Sequence, residues 1–145
     1  MNNTGALQSE TASGSRKALL IASGLGAPAL LGFLAEGLRK VGRHDEALGA
    51  LALGVAQAEQ QGQHFYDAEL HRLRAEIILD MDGNAVEEAE ALLGQSREIA
   101  RRQEAKTFEL RAATSPARLW QRQGKREKAR AHLIDAKALL EEVRD

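Results

Sequence analysis

The chain has 145 residues, 43% of them apolar but only 3% aromatic, and a formal net charge of −1, so one domain with an unstapled core is expected. The absence of cysteine excludes disulfides, thiolate nucleophiles and cysteine-ligated zinc, and fits a reducing cytoplasm. The near-zero total gives no global pull toward nucleic acid or anionic membrane, yet residues 36–90 carry five positive and twelve negative charges, and residues 97–130 carry eleven positive and four negative.

Residues 1–16 are small and polar, show no periodic apolar face, and read as a disordered leader. The folded domain is assigned to residues 17–145. Arg16 and Lys17 precede eighteen uncharged residues, "ALLIASGLGAPALLGFLA", which imitate a targeting signal. Gly24, Gly26, Pro28 and Gly32 interrupt this run, and its second half continues into an amphipathic pattern, so neither a membrane span nor a membrane partner is expected. Residues 17–27 are assigned instead as a partial N-terminal cap.

From Pro28 onward apolar residues recur at helical spacing, with breaks near Gly42, Gly62, Asp82-Gly83-Asn84, Glu104 and Gly124. Alanine and leucine favour helix, and the aromatic and β-branched strand formers are scarce. The expected helices span about 28–41, 44–61, 64–81, 86–103, 106–123 and 126–143. Their short connections force antiparallel neighbours, giving hairpins over about 28–62, 64–104 and 106–143.

One hairpin cannot bury its apolar face alone, whereas stacked copies can. The second helices align as "EALGALALGVAQAEQQ", "EAEALLGQSREIARRQ" and, more loosely, "KARAHLIDAKALLEEV". Each carries an alanine followed four residues later by leucine: Ala47 and Leu51, Ala89 and Leu93, Ala129 and Leu133. The first helices supply Leu31, Leu34, Ala35 and Leu38, then Ala113, Pro116, Ala117 and Trp120. These pairs and stripes match the tetratricopeptide pattern and give Trp120 a core position. The middle hairpin fits less well, with His71 and Arg74 at two core places and a turn about two residues longer. The fold expectation is an all-α, right-handed superhelix of three stacked hairpins, like tetratricopeptide repeats. A helix ending in "ALLEEVRD" offers Lys137, Glu141, Glu142 and Arg144 as a polar end cap.

The stretch "AELHRLRAEIILD", followed by "REIARRQEAKTFELRAATSPARLWQRQGKREKARAHL", resembles the C-terminal tetratricopeptide tail of bacterial signalling proteins that join a class III adenylate/guanylate cyclase to an ATPase. It is also similar to the repeat region of maltose-regulator-type transcriptional activators. The resemblance implies a cytoplasmic sensor or scaffold that binds a protein, peptide or small effector and transmits the event to a cyclase or ATPase output domain. No Gly-x-x-x-x-Gly-Lys-Ser/Thr phosphate loop is present and no cyclase metal segment matches, so no active-site residue carries over. Where such tails usually have leucine, this chain has Pro116, and a kink or restart of the fifth helix is expected.

Candidate chemistry is sparse. His44, His64, His71 and His132 show no two-histidine metal spacing. Asp67 and His71, one turn apart, read as a surface pair sooner than a ligand set. "DMDGNAVEEAE" places Gly83 at the fourth position and Ala91 at the twelfth, where a calcium loop needs glycine at six and glutamate at twelve. Glu87, Glu88 and Glu90 read as a solvated helix face. No catalytic constellation, cofactor or metal is expected.

The outward positions of the first helices of the hairpins, Glu36, Arg39, Arg72, Glu76, Arg111, Arg118 and Arg122, form the candidate binding groove. Arginine grips carboxylates bidentately, so an acidic peptide or protein is the expected ligand. Nucleic acid is the weaker reading, because the one tryptophan is claimed by the core. The opposed charge of the two halves also suits head-to-tail association into a homo-oligomer.

Overall fold

The computed structural model describes residues 26–144, which form six α-helices and, among those residues, no strand. They are α1 Ala27–Lys40, α2 His44–Gln61, α3 Asp67–Met81, α4 Val86–Arg102, α5 Lys106–Arg122 and α6 Arg126–Arg144. The chain is all-α, and the helix ends fall within one residue of the sequence reading except at the start of α3, expected at 64 and found at 67. There the His64 carbonyl accepts the Asp67 N–H at 3.1 Å, closing a turn ahead of the helix. The leader and all but the last two residues of the 17–27 cap lie outside the described residues.

Four of the five connections close alike. Gly42, Gly62, Glu104 and Gly124 have φ of 80°, 63°, 55° and 73°, and the next residue's N–H reaches back to the carbonyl five residues before it. Arg43 bonds Leu38, Gln63 bonds Ala58, Ala105 bonds Ala100 and Lys125 bonds Trp120, at 2.8 to 3.0 Å. This satisfies carbonyls that a helix end leaves open, and it needs a left-handed residue, usually glycine. Glu104 holds that conformation with a side chain. The remaining connection, Asp82-Gly83-Asn84, turns differently: Asp82 Oδ1 accepts the Asn84 N–H at 2.9 Å.

The helices pack most closely as α1 with α2, α3 with α4, and α5 with α6. Hairpin joins hairpin through α2 on α3 and α4 on α5, while α1, α3 and α5 touch in succession. Among the described residues α2 does not approach α4, nor α4 approach α6. Within each hairpin two alanines share one core cluster: Ala35 with Ala47, Ala75 with Ala89, and Ala117 with Ala129.

With these alanines aligned, Ala75 sets the register of the middle hairpin. His71 is half-buried and Arg74 exposed; Leu70, Leu73 and Ile77 form the core instead, packed with Ala47, Ala50 and Leu51. Two further expectations are corrected. Leu34 and Leu133, read as core, are both exposed, because the first hairpin has no preceding hairpin and the third has no following one among the described residues. Ile134 and Leu140 are exposed beside Leu133, so the polar cap on α6 is partial.

At the first junction Gly32 lets an aromatic ring approach the backbone. A Cβ there would lie 2.6 Å from Cε1 of Tyr66, and Tyr66 cannot swing aside because Phe33, Phe65 and Phe108 meet its ring edge-on at 5.6 to 5.9 Å.

Trp120 is buried. Its indole N–H donates to Glu90 Oε1 at 2.5 Å, Lys128 Nζ lies 4.4 Å from its ring centre, and His132 meets it edge-on. Glu90 therefore leaves the solvated face assigned to it, which Glu87 and Glu88 keep. The fifth helix does not restart at Pro116; α5 is continuous, with the proline buried on the side facing α4. Burial of the ring offsets part of the lost backbone hydrogen bond.

Two substitutions test this account by urea midpoint. Gly32→Ala is expected to destabilise by about 1–3 kcal/mol, the usual cost of overpacking. Glu104→Gly is expected to stabilise by roughly 0.5–1 kcal/mol through relief of the left-handed strain.

Candidate functional site

The face shared by α1, α3 and α5 carries the groove residues, and most of them bind one another. Arg39, near the end of α1, donates to Glu76 Oε2 at 2.7 Å and to Asp80 Oδ2 at 2.5 Å, both on α3. Arg72 forks onto Glu69 through Nε and Nη2, each at 3.0 Å, and its Nη1 lies 3.0 Å from Glu76 Oε1. Arg111 on α5 donates to Glu69 Oε2 at 2.9 Å. Ser115 Oγ lies 3.2 Å from Glu76 Oε1 and 3.1 Å from the Arg111 carbonyl, so its one proton serves either. Three helices are thus joined by one chain of alternating charge, Arg39–Glu76–Arg72–Glu69–Arg111.

Burial makes this chain costly to break. Glu69 is 2% and Arg72 8% exposed, and charges taken out of water must be matched. For both Arg39 and Arg72, burial works against the cation, but hydrogen bonds and nearby carboxylates outweigh it and raise the pKa: Asp80 then Glu76 for Arg39, and Glu69 then Glu76 for Arg72. Tyr66 is raised by burial first and by the Glu69 charge second.

Arg118 and Arg122 differ. They stand one turn apart on the exposed side of α5, and among the described residues neither has a carboxylate within ion-pair distance. Both line a cleft of about 60 Å³ with Arg39, Glu76, Asp80 and Ser115. The cleft holds three arginines against two carboxylates, so it favours an incoming anionic group. Glu36 is half-buried on α1 and close enough for its charge to act on Arg72 and Tyr66. All seven groove positions thus belong to one three-helix face, and among the described residues Arg118 and Arg122 are its arginines free of internal pairing.

The remaining candidates resolve locally. The Asp67 carboxylate faces His64 Nδ1 at 2.9 Å, while His71 Nδ1 contacts the Asp67 backbone carbonyl, so the expected Asp67–His71 side-chain pair is absent. Asp80 is turned to Arg39 rather than into the 80–84 loop. Among the described residues no three His, Asp or Glu side chains gather as metal ligands, and no helix is long and apolar enough to cross a membrane.

The hairpin junctions hold two further depressions at matching register. One, of about 540 Å³, lies between α2 and α3 and includes Leu51, Ala52, Leu70 and Arg74. The other, of about 160 Å³, lies between α4 and α5 and includes the corresponding Leu93, Gly94, Ala112 and Pro116, with Trp120 and His132 at its wall. Burial, and then the positive charge of Arg97, lower the His132 pKa; Lys128 acts in the same direction and Asp135 opposes.

Comparison with protein-family models, curated proteins and solved structures finds no match for the chain.

Glu69→Gln is expected to cost roughly 3–5 kcal/mol of folding stability by stranding the buried Arg72 guanidinium, whereas Arg118→Ala stays within about 0.5 kcal/mol. Equal losses in denaturant would show that the Glu69 network is not structural. A pH series tests His132. A folded-state pKa below the unfolded one means that its contribution is complete above about pH 6.5 and is lost as pH falls through that value toward the depressed folded one. His132→Gln should therefore flatten the fall in urea midpoint between about pH 7.5 and pH 5.5.

Proposed function

We propose that the chain is a non-catalytic protein-interaction module, a tetratricopeptide-like right-handed superhelix whose α1/α3/α5 face receives an acidic segment of a partner protein. The observation that carries this reading is the pair Arg118 and Arg122. They stand without carboxylate partners among the described residues, at one end of a face whose other arginines are paired within the chain. Two guanidinium forks one helical turn apart suit a side-chain or C-terminal carboxylate.

The pairwise helix contacts support the superhelical reading, since neighbouring hairpins meet in one repeated way. The resemblance to cyclase-linked and activator-linked tails points to a bacterial signalling or transcription-regulatory system in the cytoplasm, with an attached or separate output domain. Catalysis is outside the proposal, and the reading assigns no cofactor. A nucleic-acid role finds less support, because Trp120, which would supply stacking, is buried.

The test is fluorescence anisotropy with a labelled glutamate-rich peptide. Arg118→Glu/Arg122→Glu is expected to weaken binding about tenfold or more, the loss of one or two charge-assisted contacts. Lys125→Glu/Arg126→Glu makes the same change in net charge outside the cleft and should weaken it far less. Equal loss in both double variants would reduce the site to general electrostatics; no loss in the first would end the proposal.

A further inference from the structure

The two internal junctions are built from the same positions. Aligned on Ala35, Ala75 and Ala117, α3 turns Leu70, Leu73 and Ile77 back onto the preceding hairpin, and α5 turns Ala112, Ser115 and Leu119 back in the same way; all are buried. The corresponding residues of α1 are Leu30, Phe33 and Gly37. Here Phe33 is 57% exposed where its counterpart Leu73 is 1% exposed, and Leu30 and Leu34 are exposed beside it. This is the head of the array.

The opposite end mirrors it. Aligned on Ala47, Ala89 and Ala129, Leu51 and Leu93 are each 2% exposed, but the third member, Leu133, is 52% exposed. Ile134 and Leu140 are exposed on the same helix. This is the tail. Head and tail are the two halves of a junction that the chain already makes twice, and each is an apolar patch open to water.

We propose that the tail of one molecule docks on the head of a second copy, forming a third junction of the same kind. Charge favours a copy of this chain over an arbitrary hairpin. The internal junctions pair opposite charges across the same helices, Arg39 with Glu76 and Asp80, and Glu69 with Arg111. At the tail, Arg118, Arg122 and Arg130 have no carboxylate in ion-pair distance among the described residues. At the head, Glu36 likewise has no cation in ion-pair distance, and it opens the acidic half of the chain. A head-to-tail contact is heterologous, so every added copy leaves one fresh head and one fresh tail, and the series lengthens with concentration. The proposal goes beyond the peptide-binding reading, sharing its repeat register and the unpaired Arg118 and Arg122.

The experiment is sedimentation velocity on the full chain over a concentration series at low and high salt, with Leu34→Glu to block the head, since Phe33 also packs on Tyr66, and Leu133→Glu to block the tail. Both residues are exposed, so the variants should fold, which circular dichroism verifies. Wild type is expected to form a concentration-dependent ladder that shortens in high salt. Each variant alone should be monomeric, because all of its heads or all of its tails are blocked. Mixing the two should give a dimer and nothing larger, since one retains a tail and the other a head. A monomeric wild type would overturn the proposal, as would single variants that still assemble, or a mixture that stays monomeric. A monomeric wild type that Leu34→Glu destabilises would assign the head to another part of the same chain. Acidic-peptide binding, measured on the monomeric Leu34→Glu protein, separates the two readings because Leu34 lies outside the Arg118–Arg122 cleft.

Discussion

Three pairs of buried alanines, one pair in the core of each hairpin, set the spacing of this molecule's helices. Ala35 with Ala47, Ala75 with Ala89, and Ala117 with Ala129 are buried at corresponding places in the three hairpins. A side chain of one methyl group lets two helix axes approach toward the short end of the usual 8–10 Å range. That closeness fixes how each hairpin is clasped, and hence the level at which its outward residues meet the next. The junction leucines and the arginine–carboxylate chain both inherit their register from these pairs.

The charge chain adds discrimination more than cohesion. Removing ions from water costs about what their pairing returns, so a buried pair is weak evidence of stability. A misplaced hairpin, however, would strand Glu69 and Arg72 without partners. Charges that look available for a ligand when α1, α3 and α5 are considered separately are largely consumed where the helices meet. The surplus that remains, Arg118 and Arg122, lies where the internal supply of carboxylates runs out.

Much of the architecture was legible in the sequence because its signals are local. Helical periodicity, the glycines at Gly42, Gly62 and Gly124, and the alanine–leucine spacing each operate within a few residues. The middle hairpin was harder: on the Ala75 register its stripe offers His71 and Arg74 where the first hairpin has Leu31 and Leu34, and the core is carried instead by the adjoining face of Leu70, Leu73 and Ile77, which packs on the preceding hairpin. The groove residues were legible as a face but not as a network: Arg39 to Glu76 spans 37 positions and Arg111 to Glu69 spans 42. Leu133 shows another limit, because a repeat pattern specifies which side of a helix is apolar and says nothing of whether a neighbour covers it.

The scarcity of aromatic residues has a consequence for how the chain can be watched. Phe33, Phe65 and Phe108 all surround Tyr66 near the junction of the first two hairpins, while Trp120 sits apart in the third against Glu90 and His132. The molecule therefore contains two natural optical reporters: a phenolic one where rings from all three hairpins meet, and an indolic one at the joint of the second and third hairpins. In an array held together by neighbour contacts, the two places need not melt together. Indole emission follows the Glu90–Trp120–His132 joint and tyrosine absorbance the ring cluster around Tyr66, so loss of one before the other can be distinguished without attaching a dye.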